Sequence, residues 1–163
     1  MTHIDTYFRA EKAESILFLL IGLAAIVFAL FAWVKWNEPF VKGMTIPLVL
    51  IGLIQMTVGG TVLSRTDKQV AALNAQVQQD RQGYRAAELP RMEKVMKSFA
   101  AIKWTEIVFI ALGIALLLLA KGNGFWKGLG LGLILQGAIS LTLDVFAEKR
   151  GQEYIDAVRT LTV

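Results

Sequence analysis

The chain has 163 residues, 55% of them hydrophobic, and a net charge of +4. That length suits one domain, and that composition is too apolar for a soluble fold of this size. Cysteine is absent, which excludes a disulfide framework, a thiolate nucleophile and sulfur ligation of a metal.

Residues 1–14 mix acid with base and are followed by an apolar run too long for a signal peptide. The one histidine, His3, reads as a solvated tail residue. Ile4, Tyr7 and Phe8 against Asp5, Arg9, Glu11 and Lys12 predict a short amphipathic helix at a membrane surface. The first charge-free span is about 15–34, and Phe31, Trp33, Trp36 and Phe40 cluster where an aromatic belt belongs. Asn37, Glu38 and Pro39 predict a turn, and a second span follows at about 43–64.

The segment between residues 66 and 103 carries apolar residues at helical spacing, first Val70, Leu73 and Val77, then Met92, Val95, Met96, Phe99 and Ile102. Gly83 is expected to break the first of these helices and Pro90 to open the second. The third span is short, with only Ile107–Ala120 free of charge. Taking in Trp104, Thr105 and Glu106 gives a span of about 104–120. Gly122, Asn123 and Gly124 mark another turn, the fourth span runs over about 126–147, and Tyr154, Ile155, Val158 and Leu161 extend it amphipathically.

The two halves resemble each other. At an offset of 85, Phe40, Lys42, Gly43, Gly52 and Arg65 fall on Phe125, Lys127, Gly128, Gly137 and Arg150. The first spans align at 91, with Phe8, Lys12, Ile16 and Gly22 on Phe99, Lys103, Ile107 and Gly113, so a longer turn is expected in the first hairpin. The hairpin tips hold only Lys35, Lys42, Lys121 and Lys127, while the other thirteen of the 17 basic residues lie beyond the opposite ends. The positive-inside rule then puts both termini and the middle segment in the cytoplasm. The fold class is therefore all-α: an integral membrane four-helix bundle of two parallel two-helix repeats, at 4–82 and 86–162, with helices extending into the cytoplasm.

Polar side chains within spans are costly unless partnered, and so they are the candidates for function. Gln136, Ser140 and Asp144 share one face of the fourth span, Gln55 lies at mid-span in the second, and Glu106 lies near the cytoplasmic end of the third. The glutamines read as interhelical hydrogen-bonding groups. Asp144 and Glu106 read either as ion-pairing partners of Arg65, Lys103 or Arg150, or as a binding site open to the cytoplasm. Together with Lys103 and Arg65 they are expected to form a charged ring at the bundle's cytoplasmic mouth. The Gly128–Gly132 stretch lies inside a span with no preceding strand, so it is a packing surface and not a nucleotide loop. No catalytic, cofactor or metal constellation is evident, and an enzyme is not expected. The bases of the middle segment suit anionic lipid headgroups rather than nucleic acid.

Four short-looped spans with both ends cytoplasmic are similar to the immunity proteins that protect bacteria against pore-forming toxins. The runs at 6–12 (TYFRAEK), 125–136 (FWKGLGLGLILQ) and 144–150 (DVFAEKR) resemble small bacterial inner-membrane proteins. The resemblance implies a non-enzymatic protein of the bacterial inner membrane that binds a protein partner, a toxin or a membrane complex. The alternative is a small channel or transporter, acting as a homo-oligomer, with its site at the cytoplasmic end of the bundle.

Overall fold

The computed structural model describes residues 2–161; the end of the second repeat at 162 lies outside them. Four helices account for the chain: α1 His3–Lys35, α2 Pro39–Gln79, α3 Arg81–Leu119 and α4 Gly124–Arg159. At 1.5 Å per residue each rod is roughly 50–60 Å long. Each is also long and apolar enough to cross a membrane. Three-residue and four-residue turns join α1 to α2 and α3 to α4 at one end, the tip end. The start of α1, the end of α4 and the turn at Asp80 lie at the other, the terminal end.

Local chemistry explains the boundaries. Thr2 and Asp5 form a capping box on α1, which makes residues 3–14 the continuous start of the first long helix rather than a separate surface helix. Pro39 occupies the first turn of α2, where its missing N–H costs nothing. The break in the middle segment falls at Asp80, not at Gly83. The Asp80 carboxylate accepts from the Gly83 amide 2.8 Å away and so starts α3 three residues earlier than the glycine would end α2. Pro90 does not open a helix but sits inside α3 with its ring on the exposed face, and there it forfeits one backbone hydrogen bond.

Helices α2 and α4 run side by side in the same direction and form the centre, while α1 and α3 flank them with no close backbone approach to each other among the described residues and meet only through side chains at the terminal end. Backbones approach closely at the tip end of this central pair. A methyl group on Gly43 would sit 1.9 Å from the Phe125 carbonyl oxygen, and one on Gly128 would sit 1.8 Å from that of Phe40. These reciprocal contacts recur at an offset of 85, the offset of the sequence match.

The flanking helices obey a different register. Within the first hairpin Gly22 backs onto Gly52; in the second, Gly113 backs onto Gly130 and Glu106 onto Gly137. The step equivalent to Gly22–Gly52 is therefore Glu106–Gly137, at offsets of 84 and 85. The expected longer first turn is absent, since that turn is one residue shorter than its counterpart. Offsets of 91 and 84 differ by seven residues, two helical turns, so both keep the same face inward. Pattern matching alone cannot separate them.

The terminal end holds the large-residue core, in which Ile4, Phe8, Leu73, Tyr84, Met92, Tyr154, Ile155 and Val158 are buried together. His3 belongs to it, contrary to a solvated tail: its Nε2 lies 3.3 Å from the Tyr84 hydroxyl, and its ring packs near those of Tyr84 and Tyr154. Tyr154 donates to the buried Glu88 carboxylate at 2.8 Å, and Arg91 grips the same group through two hydrogen bonds of 2.6 and 2.7 Å. The tip half instead exposes its large side chains, among them Val27, Phe31 and Leu118, as a lipid-facing surface would require.

Candidate functional site

Buried small residues recur every seventh position: Ser15, Gly22 and Ala29 on α1; Thr45, Gly52, Gly59 and Thr66 on α2; Gly130, Gly137 and Gly151 on α4. A period of seven winds helices around each other left-handedly and stacks their contacts in steps. In the first hairpin the steps continue unbroken, because a methyl on Gly59 would meet the Ser15 carbonyl oxygen at 2.6 Å. In the second, the position that follows Gly137 by seven is Asp144, and it falls opposite Phe99. A carboxylate and a phenyl ring stand where two backbones would otherwise touch, and the helices leave a cavity of about 340 Å³.

Five of the seven candidate residues line this cavity: Gln55, Glu106, Gln136, Ser140 and Asp144. All five are buried. The Gln55 amide nitrogen donates to Gln136 Oε1 at 3.3 Å and to Ser140 Oγ at 3.1 Å, and Gln136 Nε2 donates to the Leu48 carbonyl at 3.4 Å. These bonds tie α2 to α4 at mid-span. Glu106 and Asp144 face each other across α3 and α4 within hydrogen-bonding reach. Carboxylates in contact repel, so such a pair needs a proton or a cation between its members.

The expected ring does not close around that pair. Lys103 gives its ammonium to Glu148, and Arg150 gives its guanidinium to Glu14. Arg65 is exposed, with its charge acting on Glu11. Burial pushes the Glu11 and Glu14 carboxyls up, opposed by Arg65 for the first and by the Arg150 hydrogen bond for the second. Among the described residues no basic side chain forms an ion pair with Glu106 or Asp144.

No family model, curated protein or solved structure matches this chain. The site's own geometry carries the functional argument.

Two polar atoms of the cavity remain unpartnered among the described residues, Gln55 Oε1 and Glu106 Oε2. Both are acceptors, and burial without a partner costs each roughly 1–3 kcal/mol. The remaining wall is apolar, with Phe18, Phe99 and Phe109 supplying rings. Sequence reasoning read Phe99 only as part of an apolar stripe and a repeat match, and gave none of these rings a place at the site, nor Glu148 as the partner of Lys103. A signal for Glu148 was present, since it extends the row Gln136, Ser140, Asp144 by another four residues. The seven-residue recurrence of small residues was equally open to inspection.

Proposed function

We propose that this chain is an integral protein of the bacterial inner membrane that binds a small solute in the cavity between its helices, as a channel or transporter does, without catalysing a reaction. The distribution of basic residues supports a cytoplasmic location for both termini and for residues 66–103. The observation that carries the reading is the convergence of two buried, unpartnered acceptors on one apolar-walled cavity inside the apolar half of the helices. Binding of a protein toxin, as in immunity, is the competing proposal, and its surface would be the outward faces of α1 or α3. The cavity favours a solute.

Because the chain lacks cysteine, single cysteines report cleanly. In lipid vesicles, Ser140→Cys is expected to react with a small apolar maleimide far faster than Ala32→Cys, whose position is fully packed. Equal inertness at both positions would remove the solute reading and leave the partner-binding one.

A further inference from the structure

We propose that the cavity's ligand is an amphiphilic organic monocation bearing N–H donors, a protonated amine with an apolar, ring-sized body, and that it enters from the lipid between α2 and α3. This rests on the solute-binding reading. Polarity is the first argument. Gln55 is 2% exposed and Glu106 is 6% exposed, and their unpartnered Oε1 and Oε2 atoms can only accept. One ammonium group has enough N–H donors to meet both, whereas a carboxylate or phosphate would add repulsion and a quaternary ammonium has no N–H to give.

Charge is the second argument. Glu106 and Asp144 lie in hydrogen-bonding reach of one another, and a carboxyl pair joined through one proton carries a single negative charge. The Lys103 charge reaches Asp144, but no basic group forms an ion pair with either acid. The Lys103 ammonium is bound to Glu148 and the Arg150 guanidinium to Glu14, which leaves the pair a net site for one positive charge.

The body of the ligand follows from the walls. Phe18, Phe99 and Phe109 come from two different helices and present rings around the acids, which suits both an apolar body and a cation against an aromatic face. Access follows from exposure. On the α2 side Ile54 is 61% exposed and Val58 48%, and on the α3 side Ile102 is 46% exposed, although all three line the cavity. The cavity thus opens sideways through an apolar rim. An amine that partitions into the bilayer reaches it without crossing the charged terminal end.

The test uses the full chain in lipid nanodiscs, with protein-free nanodiscs as the partitioning blank. Phenethylamine at neutral pH is titrated calorimetrically beside three isosteres: phenethyl alcohol, 3-phenylpropionate and the quaternary trimethyl analogue of the amine. Saturable binding of the amine is expected, with the alcohol and the quaternary analogue weaker by about tenfold or more and no binding of the carboxylate. Glu106→Gln combined with Asp144→Asn, which removes the pair's negative charge, is expected to weaken the amine by about tenfold and the alcohol by less. The ligand series needs no variant, so it stands even if a substitution unfolds the protein. Equal binding by the alcohol or the quaternary analogue overturns the proposal while the solute reading stands. Failure of the whole series to bind also overturns it, and the labelling of Ser140→Cys then decides separately whether the cavity admits solutes at all.

Discussion

The two hairpins are built alike and differ at one step. In the first, Gly59 lets the α2 backbone rest on Ser15 of α1, and the pair zips shut. In the second, Asp144 occupies the equivalent place on α4 and Glu106 faces it, so the zip stops after Gly137 and a cavity begins. The first hairpin shows the steps continuing without interruption, with small residues at Ala29–Thr45, Gly22–Gly52 and Ser15–Gly59. The second departs from that rule with two buried acids. Placing ionisable groups where a glycine would pack costs free energy, which makes the pair a candidate for function.

Substituting the second hairpin's residue into the first should have the largest effect. Gly59→Asp brings a side chain to within 2.6 Å of a backbone oxygen and adds a carboxylate with no partner. A cost of about 3–5 kcal/mol or more is expected, read as loss of folded protein in detergent. A loss close to that of Gly60→Asp, whose added Cβ would have nothing nearer than 3.9 Å, would show that the first hairpin is not closed as described.

Alkaline pH probes the end the two hairpins share. Burial keeps the Tyr7, Tyr84 and Tyr154 hydroxyls neutral, raising Tyr84 from 10.0 to about 12 and the other two further in the same direction. A raised pKa means that the unfolded chain ionises first. The stabilising contribution is complete below pH 10 and is lost as pH climbs toward 12. Melting temperature should fall across that window, and Tyr84→Phe should flatten the fall. A flat profile from the unaltered chain would argue against the buried tyrosine cluster.

The polar tie between the hairpins comes next. Gln55→Leu leaves Gln136 Oε1 and Ser140 without the donor they share, at a cost of roughly 1–3 kcal/mol in denaturant titration. Gln55→Leu with Gln136→Leu should recover part of that, because both partners then become apolar. Independent, additive costs would show that the two side chains do not interact.

The smallest stability effect is expected at the acid that distinguishes the hairpins. Asp144→Asn keeps the shape and removes the repulsion with Glu106, so stability should change by about 1 kcal/mol or less. Amine binding should nevertheless fall once Glu106→Gln is added and the pair's charge is gone. A large destabilisation with unchanged binding would make the acid pair structural and erase the functional contrast between the hairpins.

Much of the site was legible before the structure. Gln136, Ser140 and Asp144 share a helix face because they are four residues apart. Gln55 and Glu106 are conspicuous because polar groups are rare in such apolar runs. Partner choice among the charges was not legible. Lys103 lies three residues before Glu106, yet its long side chain turns to Glu148, and Arg65 points its charge at Glu11 instead of the acids. Reach along one helix says which residues are near, not which neighbouring helix supplies a better partner.

By itself the sequence determined four apolar spans and the turns near 37 and 122, because hydropathy and helical spacing are local properties of the chain. That the first and third spans belong to unbroken helices running through residues 3–14 and past Pro90 was decided by the structure. The register between helices was decided only in three dimensions. A shift of two turns leaves the inward face almost unchanged, so 91 and 84 look alike in sequence. Backbone contact distinguishes them, because at each step either two glycines meet or a larger side chain holds the helices apart. That choice puts Asp144 beside Glu106 and opens the cavity.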